Sequence, residues 1–169
     1  MTGPVYAPAV APVPSPWPAD AVAAHRAAGL WTGEDFGGFL RSRAERHATH
    51  TALVDADGER LTYAELDERA DAIAAHLRGL GIAPGERIIV QMPNVAVYVC
   101  AIFGIWRAGM LPVFALPAHR RTEMEGIARA SGAVAMVTVD RHAGFDHAGL
   151  ARDLADVVPA LRHVLLADD

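Results

Sequence analysis

The sequence contains a single cysteine and no stretch that resembles a secretory leader. Because Cys100 is the only cysteine among 169 residues, no disulfide can form within the chain, and this predicts a protein of the reducing cytoplasm. Cys100 lies in the apolar run VAVYVCAIFGIW and is interpreted as a small buried hydrophobic residue. The opening MTGPVYAPAVAPVPSPWPAD has neither a basic region nor a continuous apolar region, so we do not expect it to act as a secretory signal.

Long apolar runs and concentrated positive charge are also missing. The longest apolar stretch, residues 95–106, is too short to span a bilayer and predicts a core helix, so no membrane association is expected. The net charge is −5 and the basic residues are scattered, which argues against a nucleic-acid partner. A chain that is 52% hydrophobic and 21% charged is typical of one soluble globular domain with its own core.

Three sequence patterns that carry chemistry in α/β proteins are absent. The chain has no G-x-x-x-x-G-K-[ST] phosphate loop and no G-x-G-x-x-G dinucleotide fingerprint. It also lacks the G-x-S-x-G elbow that presents a nucleophilic serine. No nucleophile or phosphate-binding loop is therefore assigned from the residues themselves.

Proline divides the chain into a tail and a domain. Six prolines fall within the first eighteen residues, where they oppose helix and sheet, so residues 1–16 are predicted to be an extended, largely disordered tail. Residues 17–169 are predicted to form the domain. Trp17–Leu30 is predicted as a short helix, and a helical stripe that begins at Phe36 and ends at His47 predicts a second.

A hairpin and a well-capped helix follow. In TALVDADGERLTY, Asp57-Gly58 predicts a β-hairpin turn between two short strands. Thr62 and Glu65 have the Thr-x-x-Glu spacing of a capping box. The buried stripe of the helix that they start is predicted to be Leu66, Ala70, Ile73 and Leu77, and Gly79 and Gly81 are expected to end it.

Strands and helices then alternate. The predicted strands are RIIVQM, LPVFAL, VAMVTVD and HVLLAD. The predicted helices are one capped by Asn94 that runs to Arg107, one started by a Thr122–Glu125 capping box, and GLARDLADVV. Because the strands are almost entirely apolar, we predict an α/β fold with a doubly wound, mostly parallel sheet, flanking helices and an N-terminal β-hairpin.

Candidate site residues lie where these strands end, since α/β sheets bind ligands at the carboxyl ends of their strands. The candidates are Gln91–Asn94, Pro117–Arg121 and Asp140–His142. The best-placed polar pair is His119-Arg120, in FALPAHRRTEM. It could bind substrate, or it could be structural, with His119 bonded to nearby backbone and Arg120 paired with Glu123.

The loop RHAGFDHAG carries two histidines and an acid at spacing that invites a metal interpretation. His142, Asp146 and His147 would nevertheless need a further convergent ligand and a supporting outer shell. We interpret the segment as a solvated polar loop and assign no metal site.

Two segments carry a resemblance to a known superfamily. LTYAELDERADAIAAHLRGLGIAPGERIIVQMPN resembles the opening core motif of the adenylate-forming (ANL) enzymes. WRAGMLPVFALP resembles their second core motif, K-A-G-x-x-x-x-P, with Arg107 in the lysine position. VFALPAHRRTEM and WPADAVAAHRAAGLW are similar to the aryl-acid branch, the 2,3-dihydroxybenzoate–AMP and salicylate–AMP ligases. The resemblance covers residues 17–169.

The resemblance implies the first subdomain of such a ligase. The complete enzyme would convert an aromatic carboxylate and Mg²⁺-ATP to aryl-AMP and pyrophosphate. It would then pass the aryl group to a carrier-protein thiol, in siderophore or nonribosomal peptide biosynthesis. Only His119 and Arg120 are offered as substrate-binding residues.

The family's later motifs have no counterpart here. These are a lysine-ended phosphate loop, an adenine-binding aromatic motif, a ribose-binding aspartate and a C-terminal domain with the adenylation lysine. No catalytic or cofactor-binding residue is therefore carried over, and the 169-residue chain alone is expected to bind no ATP or Mg²⁺ and to be inactive. The alternative is a non-catalytic α/β binding or interaction module derived from this subdomain.

Overall fold

The computed structural model describes residues 17–56 and 58–167. The predicted tail, residues 1–16, and Asp57 of the predicted turn lie outside the described residues. The described helices are α1 Ala19–Ala27, α2 Phe36–His47, α3 Tyr63–Gly79, α4 Ala96–Arg107, α5 Arg121–Ser131 and α6 His147–Val157. The described strands are β1 Thr51–Val54, β2 Arg60–Thr62, β3 Arg87–Gln91, β4 Leu111–Ala115, β5 Ala135–Thr138, β6 Arg141–His142, β7 Phe145–Asp146 and β8 His163–Leu166.

The centre of the fold is a four-stranded parallel sheet in the order β4-β3-β5-β8. Successive side chains of a strand point to opposite faces. Ile88 and Val90 therefore pack in a core with α3 and α4. Ile89 and Met136 pack on the other face with α5 and α6. Helices on both faces of a parallel sheet confirm the predicted doubly wound α/β fold.

The predicted hairpin is confirmed, with a wider turn than expected. Strands β1 and β2 pair antiparallel, and the last pair before the loop is Val54 with Arg60. The loop therefore spans residues 55–59 rather than a two-residue turn, and Gly58 adopts the left-handed φ of +87° within it. The hairpin packs with α2, α3 and α4 in a third core that includes Leu40 and Cys100.

Cys100 behaves as predicted. Its side chain is buried in the third core, and burial raises the pKa of the thiol. A thiol that resists ionisation is a poor nucleophile, so the interpretation of Cys100 as a small hydrophobic residue is confirmed.

The predicted N-terminal cap of α3 is confirmed, whereas the predicted cap of α4 is wrong. The Thr62–Glu65 capping box is present: the Thr62 amide donates to Glu65 Oε2 at 2.8 Å, and the Glu65 amide donates to Thr62 Oγ1 at 3.3 Å. Asn94 does not cap α4, whose N-cap is Val95. The acceptor comes instead from the hairpin loop, where Asp55 Oδ2 receives the Ala96 amide at 3.4 Å.

The predicted Thr122–Glu125 capping box is also wrong. Helix α5 begins at Arg121, and Glu123 Oε2 accepts the amide of Arg120 at 3.0 Å. Glu125 lies two residues further on and pairs with Arg129 at 2.9 Å. Glu123 and Glu125 each lie three residues after a possible N-cap residue, Arg120 and Thr122 respectively. Glu123, which is nearer to the end of β4, accepts the N-cap amide.

The first two helices pack less than their patterns suggest. Helix α1 is shorter than the predicted Trp17–Leu30 and buries no residue. In α2, which carries the predicted helical stripe, Leu40 is buried, but Phe36 and Phe39 stay exposed.

None of the helices within residues 17–56 and 58–167 has both the length and the apolar content of a membrane span.

The outer strands of the sheet leave apolar surface uncovered, and this predicts self-association. Phe114 on β4 and Leu166 on β8 are 54% and 39% exposed, and each strand is an edge of the sheet. Open edges with apolar side chains are templates for pairing between molecules. We expect the 169-residue chain to sediment as concentration-dependent oligomers in analytical ultracentrifugation.

Charges on the edges should suppress this association. The double variant Phe114→Lys, Leu166→Lys should shift the distribution towards monomer. Val157→Lys, at an exposed apolar position on helix α6 and not on an edge strand, should leave it unchanged. A wild-type chain that stays monomeric at all concentrations would contradict the prediction.

Candidate functional site

Polar groups lie together at the carboxyl ends of the three neighbouring parallel strands β4, β3 and β5. Gln91 closes β3, where it lies opposite Ala115 of β4 and Thr138 of β5. Gln91 and Thr138 are fully buried, and Thr138 Oγ1 donates to the Gln91 carbonyl at 2.8 Å. The bond joins the ends of the two central strands.

The side chain of Gln91 holds the segment that follows β4. Its Nε2 group donates to the carbonyl oxygens of Leu116 and His119, each at 3.0 Å. We call residues 116–120 the corner, because the chain turns there from β4 into α5. From sequence, Gln91 was named only as one of several strand-end residues. The available signal was a glutamine within an otherwise apolar strand, where a buried amide needs partners.

His119 makes the backbone contact that its structural interpretation predicts. Its Nδ1 accepts the Leu116 amide at 3.3 Å, while its own amide donates to the Leu116 carbonyl at 3.0 Å. The side chain is half-buried. His119 therefore stabilises the turn between β4 and α5 through both its backbone and its side chain.

Arg120 is held differently from the predicted pairing with Glu123. Only its backbone amide reaches that carboxylate. The guanidinium group donates to the carbonyls of Pro117 and His119 at 2.8 and 3.0 Å and lies 4.0 Å from the centre of the Phe145 ring. Hydrogen bonds from the backbone amides of Glu123 and Arg120, the largest causes, and the nearby Arg120 cation lower the pKa of the Glu123 carboxyl.

The segment predicted as a solvated polar loop is a short hairpin that buries a histidine. Strands β6 and β7 pair antiparallel, and His147 becomes the first residue of α6 with only 1% of its surface exposed. The edge of the Phe145 ring packs against it at 5.0 Å between centroids. Helix α6 therefore starts earlier than GLARDLADVV suggests, capped by Asp146, which accepts the Gly149 amide at 2.7 Å.

Burial determines the charge of His147. Desolvation is the main cause that lowers its pKa, the electrostatic influence of the Arg120 and His142 side chains acts in the same direction, and Asp146 opposes them. The imidazole is therefore neutral near pH 7. In the described ranges 17–56 and 58–167, no three His, Cys, Asp or Glu side chains converge as metal ligands would.

Arg107, in the lysine position of the second core motif, lies in a different environment from the corner. Its side chain is 10% exposed and makes ion pairs with Asp67 and, at 3.0 Å, with Asp71. It also donates to the carbonyls of Asp67 at 2.8 Å and Gly37 at 3.3 Å. These contacts tie the end of α4 to α2 and α3, so Arg107 is a structural residue.

The corner and its neighbours can shape a surface but offer no complete set of reacting groups. They supply a fixed backbone, a stacked guanidinium group and a neutral buried imidazole. General acid–base or nucleophilic catalysis needs a donor or nucleophile that reaches the reacting atoms. The arrangement is suited to lining a pocket.

The chain is similar to known aryl-acid ligases. It is 44% identical over 159 residues to a salicyl-AMP ligase / salicyl-S-ArCP synthetase of Mycobacterium tuberculosis, with 91% of this chain and 28% of the relative covered. It is 37% identical over 155 residues to a 2,3-dihydroxybenzoate-AMP ligase of Bacillus subtilis, with 92% and 29% covered. The chain thus spans less than a third of the length of these relatives.

A solved structure and a family match agree with these relatives. The apo structure of Mycobacterium smegmatis MbtA superposes with a TM-score of 0.81 at 46% identity, covering 92% of this chain and 28% of that one. Residues 40–169 match the AMP-binding enzyme family. The predicted resemblance to adenylate-forming enzymes is confirmed, and the chain belongs to the AMP-binding enzyme family.

Proposed function

We propose that the chain is the N-terminal part of an aryl-acid adenylating ligase. The complete enzyme would join an aromatic carboxylate to ATP, release pyrophosphate, and pass the aryl group from aryl-AMP to a carrier-protein thiol. The observation that carries the proposal is the similarity to salicyl-AMP and 2,3-dihydroxybenzoate-AMP ligases over more than nine-tenths of this chain. We place the enzyme in the cytoplasm, in siderophore or nonribosomal peptide biosynthesis.

The chemistry explains which groups the complete enzyme needs. A carboxylate is a poor electrophile until its oxygen becomes part of a good leaving group, which adenylation achieves. The charge that develops on the phosphoryl group must be offset by cations and backbone amides. ATP and Mg²⁺ are the cofactors that this requirement implies.

This chain would supply scaffold and substrate wall rather than the phosphate site. All 15 of its Lys and Arg residues are arginines, so no adenylation lysine lies within it. Its described residues contain no cluster of three potential metal ligands. His119 and Arg120 are the residues proposed to line the aryl-acid side, with residues 17–169 as one subdomain and 1–16 as a separate tail.

The rival proposal is a non-catalytic α/β binding or interaction module. The observation that favours it is that the corner and its neighbours offer no complete set of reacting groups. Translation of the reading frame beyond residue 169 separates the two. A continuation into a Ser/Thr/Gly-rich loop with a lysine supports the ligase, whereas a stop codon with no partner gene supports the module.

The direct test is ATP–pyrophosphate exchange. We expect the ligase encoded by the complete reading frame to exchange labelled pyrophosphate into ATP when salicylate or 2,3-dihydroxybenzoate is added. Octanoate and the common amino acids, the substrates of other adenylating enzymes, should give only background.

The purified 169-residue chain serves as the matched control and should show no exchange with any acid. Exchange by this chain alone would contradict the assignment of the phosphate site to other residues. A complete ligase that responds only to fatty or amino acids would overturn the aryl-acid proposal.

A further inference from the structure

The amide of Gln91 is buried in an apolar strand, where it carries a cost that its surroundings only partly offset. Its side chain has no exposed surface, and burying an amide is unfavourable unless it is hydrogen-bonded. Its two Nε2 hydrogens match the carbonyls of Leu116 and His119, which fixes which end of the amide faces the corner. A carboxylate or an apolar side chain could not make this pair of bonds.

One of these carbonyls connects Gln91 to the surface. The His119 carbonyl accepts from Gln91 on the buried side and from the Arg120 guanidinium group at 3.0 Å. The guanidinium group in turn rests on Phe145. From the core side, Thr138 holds the Gln91 backbone. A continuous set of contacts therefore leads from β5 through Gln91 to an exposed arginine.

The other end of the amide, Oε1, lacks a partner within residues 17–56 and 58–167. Gln91 Oε1 is buried and accepts no hydrogen bond from the described residues. An unsatisfied buried acceptor is a cost that an apolar residue of the same size would avoid. A residue that breaks a local rule without a local gain often serves the site beside it.

We infer that Gln91 is a positioning residue for aryl-acid binding, an inference that rests on the proposed function. It does not touch the acid. It sets the place of the His119 carbonyl, and through that carbonyl the orientation of the Arg120 guanidinium group on the substrate wall.

The test uses the complete ligase with Gln91→Leu and Gln91→Glu. Leucine removes the amide, and glutamate keeps its shape while replacing the NH₂ donor by oxygen. We expect each variant to raise the KM for salicylate about tenfold or more, equivalent to about 1.4 kcal/mol, with the KM for ATP changed less than twofold. Calorimetric titration of salicylate should show the same weakening without turnover.

A matched variant separates positioning from general loss of stability. Gly104→Ala disturbs the packing of α4 on α3 and touches no residue of the corner. Assayed well below its melting temperature, it should leave the KM for salicylate unchanged. Arg120→Ala should weaken salicylate binding as Gln91→Leu does, and the double variant should be no worse than the stronger single variant.

Each outcome is decisive. Gln91 variants that melt earlier but bind salicylate normally would overturn the inference and leave Gln91 a structural residue. Additive effects of Gln91→Leu and Arg120→Ala would also overturn it. If Gln91→Leu does not fold, Gln91→Glu and the double variant Gln91→Glu, Arg120→Ala give the answer. A wild-type ligase without aryl-acid exchange would refute the proposed function itself, which the wild-type assay reveals before any variant is tested.

Discussion

Replacing Gly104 by alanine should lower the free energy of unfolding by about 3 kcal/mol, although it adds a single methyl group. A Cβ atom at this position would lie 2.5 Å from Ile73 Cγ2, 2.7 Å from Ile73 Cβ and 3.2 Å from the Ala70 carbonyl oxygen. A β-branched side chain in a helix has one strongly preferred rotamer, and the carbonyl belongs to the backbone. The overlap can therefore be relieved only by moving α4 away from α3.

Gly126→Ala should instead raise the free energy of unfolding. Gly126 lies within α5, and a Cβ atom there would have no neighbour within 4 Å. Removing a flexible glycine from an exposed helix position should stabilise the fold by about 0.5–1 kcal/mol. Urea unfolding followed by circular dichroism, at concentrations where the chain is monomeric, measures the two effects. Changes of the same sign would contradict the role assigned to helix contact at Gly104.

Arg107→Ala should lower the free energy of unfolding nearly as much as Gly104→Ala, because it breaks a buried ion pair. Removing one member of a buried ion pair leaves its partner uncompensated, and such losses reach about 3–5 kcal/mol. Asp67 is only 13% exposed, but it keeps a second partner in Arg41 at 3.1 Å. We therefore expect a loss of about 2–3 kcal/mol, measured by urea unfolding.

Two further variants test whether the burial and the geometry of the Arg107 ion pair set this loss. Arg107→Lys keeps the charge, but a single ammonium group cannot reach all the acceptors that the planar guanidinium group bonds, so about half of the loss should remain. Arg121→Ala breaks a pair with Asp153 of similar length, 3.0 Å, in which each side chain is more than half exposed. It should change stability by less than about 0.5 kcal/mol. Equal losses for Arg107→Ala and Arg121→Ala would show that burial does not set the cost.

The sequence predicted the elements whose pattern is local and periodic. The Thr62–Glu65 box is confirmed, and so is the buried stripe of α3 at Leu66, Ala70 and Leu77, whereas Ile73 is only partly buried. The start of α4, which was predicted wrongly, depends on a distant part of the chain, whereas at α5 the capping glutamate is Glu123 instead of its near neighbour Glu125. The acceptor at the start of α4 comes from Asp55, 41 residues earlier, and no local rule finds it.

The same distinction applies to the candidate site. His119 and Arg120 were located from the position of a strand end, which the parallel sheet confirms. Arg120 stacks on Phe145 and His147 is buried because the β6–β7 hairpin folds onto the end of β5. The sequence RHAGFDHAG reads as polar, and its burial arises only from tertiary packing. That His119 and Arg120 touch substrate remains a prediction.

The cap that Asp55 provides for α4 has a consequence for synthesis on the ribosome. Helix α4 is the most apolar of the described helices, so its side chains need a packing surface as they emerge from the ribosome. Its acceptor Asp55, its contact residue Ile73 and the carboxylate of Asp67 that receives Arg107 all precede it in the chain. Since synthesis proceeds from the N-terminus, the part of that surface formed by α2, α3 and the β1–β2 hairpin leaves the exit tunnel before α4. We expect the nascent chain to gain protease resistance soon after Arg107 emerges.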